Sequence, residues 1–166
     1  MTPVNSLPVT AHCNMRVDYH MFFLADDGVR PPPLFHYDNS LVALEPGFAA
    51  INTGIAQGDV RLTVEIHQHA PPVDLDDWED AVEVTVEATQ GHMVVAAVMA
   101  DAPALPTLTP HGPGYYRARV HARGRDTAVD HVVFEPVEDY LIQVWPAPAA
   151  PQTELKQTAK YGVPAS

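Results

Sequence analysis

Two histidines of this chain have the spacing of metal ligands. His67 and His69 are one residue apart in a segment where apolar and polar residues alternate, and Glu65 and His121 are further candidate ligands. Alternate side chains of a β-strand point to the same face, so both imidazoles can reach one ion. The pair is therefore compatible with a cupin-like, metal-dependent β-barrel enzyme or with a metal-binding protein.

The alternation itself argues against a metal site inside the protein. The two histidines share their face with polar and charged residues, whereas the apolar residues of the segment face the other way (Val60, Leu62, Val64 and Ile66). A buried site would need a change of register. Ala70-Pro71-Pro72 then ends the strand. We therefore predict that His67 and His69 lie on the solvated surface and that no cofactor is bound, with the metal-dependent function as the alternative.

Nucleophilic catalysis has little support in the sequence. Cys13 is the only cysteine, which excludes an intrachain disulfide, and no basic cluster beside it would activate its thiol. Ser6 and Ser40 lie outside any G-x-S-x-G motif. Gly112-Pro113-Gly114 indicates a turn into a strand rather than a phosphate-binding loop, because no helix follows it. We predict that the chain is not an enzyme.

The charge balance restricts the possible partners. The 166 residues include 9 Lys and Arg against 21 Asp and Glu, a formal net charge of −12. Nucleic acids and anionic membranes are held by positive fields, so neither is an expected partner. The longest apolar stretch, Met93–Ala100, is much shorter than the roughly 20 residues of a membrane-spanning helix. Met1–Thr10 lacks the pattern of a signal peptide, and we expect a cytoplasmic protein.

The acids are concentrated around one tryptophan. Residues 74–87 hold seven acids, and the predicted partner-binding residues are Asp74, Asp76, Asp77, Trp78, Glu79 and Asp80. A negative field selects basic partners, and tryptophan is over-represented among interface hot spots. The alternative is a solvated surface that only keeps the protein soluble. The arginines between Arg117 and Arg125 either fold against these acids or form an anion site, and the sequence leaves both open.

The sequence predicts that short β-strands position these residues. Seventeen prolines interrupt the chain, and proline removes a backbone donor, so long helices are excluded. Alternating or β-branched segments predict strands at 17–24, 48–53, 60–69, 82–87, 93–97, 116–121 and 140–145. Gly91 predicts a hairpin between the fourth and fifth of these strands. Acids in a first turn predict a short helical turn near residues 74–80.

This pattern predicts an all-β protein, an antiparallel β-sandwich of about seven or eight strands. A closed barrel shares the same signals and is the alternative. The expected organisation is an N-terminal leader over 1–14, the sandwich domain over 15–145 and a Pro/Ala-rich flexible tail over 146–166.

Short segments also resemble a known family. Val17-Asp18-Tyr19-His20-Met21-Phe22, followed by Asp26-Asp27, is similar to the N-terminal strand of the competence protein J family, which inhibits the DNA-entry nuclease of competent bacteria. Pro46-Gly47-Phe48-Ala49-Ala50 and Gly112-Pro113-Gly114-Tyr115 extend the resemblance. It implies a small β-sandwich that binds a protein and performs no chemistry itself, but it carries over no set of functional residues.

The leading hypothesis is a non-enzymatic, acidic protein-binding domain, a nuclease inhibitor or immunity-type protein that docks a basic protein through its acidic surface. The metal-dependent barrel is the alternative. A carbohydrate-binding module, resting on Tyr115 and Trp145 as exposed aromatics, is a third hypothesis, although Trp145 is the more natural member of a core edge.

Overall fold

The computed structural model describes residues 7–162, which form ten β-strands joined by turns and loops. No helix occurs in this range. Ser6 and the first part of the predicted leader lie outside the described residues, as do the last residues of the predicted tail. The strands are β1 (Val9–Val17), β2 (Met21–Ala25), β3 (Val42–Glu45), β4 (Phe48–Asn52), β5 (Gly58–Ile66), β6 (Asp80–Ala88), β7 (Val94–Ala96), β8 (Gly114–Arg123), β9 (Asp139–Pro146) and β10 (Thr153–Gln157).

The ten strands form two sheets. The larger sheet has six strands in the order β1-β5-β9-β8-β6-β10, and the smaller has four in the order β3-β4-β2-β7. Neighbouring strands are antiparallel except β5 and β9, which are parallel. The predicted all-β class is confirmed. Over residues 7–162 the sheets remain two open sheets, so the closed-barrel alternative is not what the chain forms.

The core lies between the two sheets and is built from alternating apolar residues. The alternation predicted for 60–66 is confirmed. The even-numbered apolar side chains of β5, from Val60 to Ile66, are buried, while Thr63 and Glu65 are only partly covered. From the smaller sheet, Phe22 and Ile51 join the same core. Burying one such side chain stabilises the fold by about 1.5–3 kcal/mol. Period-two patterning therefore fixes which face of the larger sheet points outward.

The strand count differs from the prediction of seven or eight. β1 begins inside the predicted leader and runs past its end to Val17, and β3 and β10 were not predicted. The single strand expected over 17–24 is interrupted, because β1 ends at Val17 and β2 begins at Met21 in the other sheet. β1 in fact alternates strictly, with apolar residues at every second position from Val9 to Val17 and exposed polar residues between them, so this strand was predictable from its period of two.

The predicted hairpin at Gly91 is wrong. β6 pairs with β8 and β10 in the larger sheet, whereas β7 pairs with β2 in the smaller one. The crossover is fixed by Asp26, whose carboxylate accepts hydrogen bonds from the backbone N–H groups of Asp27, Gln90 and His92 and from the Thr89 hydroxyl. Burial raises the pKa of this carboxyl, but the four hydrogen bonds outweigh it and the pKa is lowered overall.

The helical turn predicted near 74–80 is a single reverse turn instead. The backbone N–H of Trp78 donates to the Leu75 carbonyl at 3.0 Å, and the N–H of Asp76 donates to the Asp74 carboxylate at 3.2 Å. An aspartate that accepts from a backbone N–H two residues on competes with helix formation. The acids therefore sit on a turn between β5 and β6.

The outer face of the larger sheet is covered rather than wet at β8. Arg117, Arg119 and His121 were expected to face water and are buried. They lie beneath the turn segment before β6 and beneath the start of the predicted flexible tail. That tail also differs from the expectation, because Thr153–Gln157 forms β10 on the edge of β6. No helix among the described residues is long and apolar enough to cross a membrane.

Candidate functional site

The predicted acidic surface lies on the segment between β5 and β6. We call residues 74–79 the acidic loop. Asp74, Asp76 and Asp77 are exposed there, and no ion pair involves them within residues 7–162. The turn that ends at Trp78 places the three carboxylates together at the surface. The three carboxylates are therefore accessible to a solute or partner, although the Lys156 ammonium donates to the Leu75 carbonyl of the same loop at 3.1 Å.

Trp78 holds the acidic loop against the larger sheet. Its ring is tilted against the His121 ring at 5.4 Å, and the Arg123 guanidinium carbon lies 4.7 Å from the tryptophan ring centroid. Arg123 also donates to the Asp77 carbonyl at 3.1 Å. Cation–π pairs of this kind contribute about 0.5–2 kcal/mol. Trp78 is partly buried and anchors the acidic loop to the larger sheet.

A row of one polar and three charged residues runs across the sheet beside Trp78. Asn14, Arg61, Asp139 and Arg123 occupy paired positions on β1, β5, β9 and β8. The Asp139 carboxylate accepts from Arg61 Nε at 2.5 Å and from Arg123 Nε at 2.9 Å. Burial raises the pKa of Asp139, but these two arginines outweigh it and lower the pKa overall. The row lines a groove of about 520 Å³ that reaches Trp78.

The last two predicted partner-binding residues point inward. Glu79 accepts from the Gly124 N–H at 2.5 Å, and Asp80 is buried against Arg125 with an Nη2–Oδ2 distance of 2.9 Å. The other Asp80 oxygen accepts from the N–H groups of Thr158 and Ala159. Asp80 is 1% exposed, so the prediction that it lies on a docking surface is wrong. The exposed set is Asp74, Asp76 and Asp77, with Trp78 beneath them.

The arginines of 117–125 fold against acids, which decides between the two possibilities left open by the sequence. Arg117 and Arg119 share Glu83, at 3.3 and 3.1 Å, Arg123 pairs with Asp139, and Arg125 pairs with Asp80. With Arg16 and Arg61, six of the nine basic residues contact a carboxylate. Six arginines thus share four carboxylates, and most of the other acids are left to set the surface charge.

The histidine pair does not form a metal centre in this structure. β5 ends at Ile66, so His69 lies beyond the strand and is exposed. His67 Nε2 donates to Glu65 at 2.9 Å, and His121 Nδ1 lies 3.0 Å from the Leu141 carbonyl. Among residues 7–162, no three His, Cys, Asp or Glu side chains are grouped so that they could hold an ion. The metal-dependent alternative has no support from the geometry.

Two titratable groups on the outer face of the larger sheet, Glu65 and His121, have shifted pKa values. Burial raises the pKa of Glu65, but its bonds to His67 and Gln143 outweigh it and lower the pKa overall. Burial also lowers the pKa of His121, which favours the neutral imidazole under Trp78.

Trp145 is buried beneath Arg119, whose guanidinium carbon lies 4.9 Å from the ring centroid, so it offers no platform for a sugar.

Comparison with known proteins adds information on the fold. No protein-family model matches the chain, and no curated protein matches it. The solved structure of ComJ from Bacillus subtilis, an inhibitor of the DNA degrading activity of NucA, matches with a TM-score of 0.57 and 15% identity, over 86% of this chain and 100% of ComJ. The chain has a ComJ-like fold. The structure described as crocagin biosynthetic gene J matches with a TM-score of 0.52 and 11% identity, over 84% and 98%.

The resemblance to competence protein J is thereby confirmed at the level of the fold. At 11–15% identity, these structural matches show a shared ComJ-like fold and do not show a shared function. The sequence grouped Arg123 with the other arginines of 117–125, but it did not single out Arg61 or Asp139, which line the groove that reaches Trp78. The pairing of Arg61 with Asp139 depends on a parallel contact between strands far apart in the chain, which a local pattern does not show.

Proposed function

We propose that this chain is a non-enzymatic protein that inhibits a basic nuclease by docking the acidic loop against it. The main support is that Asp74, Asp76 and Asp77 are exposed, without ion pairs in residues 7–162, on a loop that Trp78 anchors to the sheet. The proposal is supported by the ComJ-like fold, since ComJ inhibits the DNA degrading activity of NucA. A cytoplasmic location stays a prediction.

The physical basis is competition for a DNA-binding cleft. Nucleases hold phosphates with lysine and arginine, so three carboxylates on one turn can occupy the positions of phosphate charges. An acidic protein also associates rapidly with a basic one because the field steers the encounter. Because the contact between Trp78 and Arg123 already holds the loop in place, the loop loses less conformational entropy when it binds a partner.

Inhibition of DNA degradation tests the proposal. Nucleases purified from the organism that carries the chain, together with NucA, are assayed at low salt with increasing amounts of the protein. We expect near-stoichiometric inhibition of at least one basic nuclease, weakened at high salt because exposed charges are screened. If no nuclease is inhibited at low salt, the proposal is wrong.

A matched pair of variants separates the acidic loop from net charge. The first carries Asp74→Asn, Asp76→Asn and Asp77→Asn, and the second carries Glu45→Gln, Glu87→Gln and Glu154→Gln at other acidic positions. Both lose three negative charges. We expect inhibition to weaken by about a hundredfold in the first and by less than about threefold in the second. Equal weakening would assign the effect to net charge and reject docking through the loop.

A further inference from the structure

The corner between β1 and β2 is built from residues that disfavour its backbone. Tyr19 and His20 have φ values of 52° and 64°, and the Met21 N–H donates to the Asp18 carbonyl at 3.1 Å. A two-residue turn with positive φ at both central positions normally contains Asn-Gly, because bulky side chains are strained there. Backbone strain of this kind is concentrated at functional sites.

The structure explains His20 but not Tyr19. The His20 ring contacts the Thr53 carbonyl, the Tyr161 hydroxyl and the Asp130 carboxylate, with distances of 3.2, 3.1 and 3.2 Å, so it closes the corner. The Tyr19 side chain is 68% exposed, and within residues 7–162 it makes no hydrogen bond or ring contact. A strained position therefore presents a free aromatic side chain to solvent.

Tyr19 lines a concavity of about 550 Å³. Met99, 68% exposed, and Val132, 54% exposed, line the same concavity, together with Arg16 and Gln57. Of the seven large hydrophobic residues that are exposed within the described part of the chain, three thus meet at one place. Exposed apolar surface gathered into one patch marks an interaction site more often than scattered single residues do.

The charges around the concavity favour a basic partner. Arg16 is paired with Asp18, whose carboxylate also accepts from Gln57, so the cation there is neutralised. Asp130, whose side chain is 73% exposed, contacts His20, which lines the concavity. Exposed Asp101 and Glu135 follow Met99 and Val132 closely in the chain. An apolar side chain flanked by lysine or arginine matches this environment, whereas a second copy of so acidic a chain would be repelled.

The concavity and the groove beside Trp78 are separate, but residues two positions apart on β1, Arg16 and Asn14, line one each. Arg16 and Asn14 lie on the same face of β1, and Asn14 begins the row that crosses Arg61 and Asp139 to reach Arg123 under Trp78. That row spans three strand spacings of about 4.8 Å. A standard interface buries about 800 Å² per partner, which is enough to cover both sites at once.

We propose that this concavity is the anchor pocket for an aromatic side chain, flanked by basic residues, on the protein that the acidic loop binds. The inference rests on the proposed function, because it names a second contact for the same partner. It assigns specificity to the corner and electrostatic attraction to the loop. Buried aromatic anchors dominate binding energy, whereas rim charges mainly set the rate of association.

The test uses a defined probe and the methionines as reporters. The peptide acetyl-Arg-Arg-Phe-Arg-Arg-amide is titrated into protein labelled at the methionine methyl groups. Met99 is exposed, whereas Met15 and Met93 are buried and serve as internal controls. We expect a saturable shift of the Met99 resonance alone, and at least about fivefold weaker binding of the peptides with Ala in place of Phe or Glu in place of Arg.

Two tyrosine variants separate binding from folding. Tyr19→Gly removes the aromatic ring and relieves the positive φ, so we expect an unchanged or higher Tm with peptide affinity reduced at least about fivefold. Tyr115→Ala removes another half-exposed tyrosine, outside the concavity, and is expected to leave the affinity within about twofold. No Met99 shift, equal shifts with the Ala peptide, or full affinity in Tyr19→Gly would each overturn the proposal.

Other outcomes separate this inference from the proposed function. A Met99 shift that grows with protein concentration alone would identify a second copy as the occupant and overturn the assignment. If no nuclease is inhibited but the peptide binds as expected, the proposed function is wrong and the pocket stands. If a nuclease is inhibited through the acidic loop but Tyr19→Gly inhibits it equally well, the pocket assignment is wrong and the function stands.

Discussion

Two groups of carboxylates lie close together on the larger sheet, and they differ in what they contact. Asp80, Glu83 and Asp139 are each paired with one or two arginines, whereas Asp74, Asp76 and Asp77 have no ion pair within residues 7–162. The first group joins strands and covers the sheet. The second lies on a turn that the first group supports, through Arg123 and Trp78. The same residue type is thus structural in one place and free to bind in another.

The largest expected effect follows from breaking the most buried pair of the first group. Asp80→Asn leaves Arg125, which is 0% exposed, without its counter-charge. Removing one partner of a buried ion pair costs about 3–5 kcal/mol. We expect the free energy of unfolding, measured by urea denaturation, to fall by that amount. In Asp76→Asn, the matched change in the second group, it should move by less than about 0.5 kcal/mol.

Acid sharpens the comparison, because protonation removes the stability that hydrogen-bonded carboxylates provide, whereas exposed and unpaired ones provide little. The folded pKa values of Asp26, Glu65 and Asp139 lie below the unfolded ones, so the stability they provide is present above about pH 5 and is lost as the pH falls through the folded values. Glu138 acts in the opposite direction, because burial raises its pKa.

The measurement is urea denaturation at neutral and acidic pH. Asp139→Asn should lower the free energy of unfolding by about 1–3 kcal/mol at neutral pH, because its hydrogen bonds are made to charged groups. The variant should lose less than the natural chain on acidification. A loss of equal size would show that Asp139 is not one of the groups whose protonation destabilises the protein.

A smaller effect is expected where the two groups meet. Trp78→Leu removes the ring that rests on His121 and Arg123, and should lower the free energy of unfolding by about 1–2 kcal/mol and weaken nuclease inhibition about tenfold. Trp145→Leu is the control, since Trp145 stacks with Arg119, and within residues 7–162 no ring contact or side-chain hydrogen bond joins it to the acidic loop. It should reduce stability without weakening inhibition. The opposite pattern would contradict a supporting role for Trp78.

The smallest effect on stability is expected in the second group. The variant with Asp74→Asn, Asp76→Asn and Asp77→Asn should unfold within about 0.5 kcal/mol of the natural chain, because exposed and unpaired carboxylates contribute little to folding. Thermal and urea denaturation check this. A marked loss of stability would show that these residues hold the fold together and would weaken their assignment to binding.

Local pattern was sufficient for much of the fold. The alternation of Val60 to Ile66 placed the core face of β5 correctly, because that period does not depend on distant residues. The Gly91 hairpin failed because a glycine turn reports only local geometry, while Asp26 decides which sheet the chain enters next. β10 was missed because its pairing with β6 is not encoded in the proline-rich composition around it.

The site was predictable in part. A run of acids around Trp78 is visible in the sequence, but which of them turn inward depends on Gly124 and Arg125, more than forty residues away. The corner at Tyr19 and His20 gave no turn signal, since turns with two positive φ values normally announce themselves through Asn-Gly. Strain of this kind becomes visible only in three dimensions.

The salt dependence of binding to an inhibited nuclease tests the central claim most directly. Affinity is measured between about 50 and 200 mM salt for the natural chain and for the two triple variants, since the slope of log affinity against log salt counts the charges that are neutralised on binding. We predict a steep slope that becomes shallower when Asp74, Asp76 and Asp77 are replaced and stays steep when Glu45, Glu87 and Glu154 are replaced. A slope that is unchanged by the first replacement would contradict docking through the acidic loop.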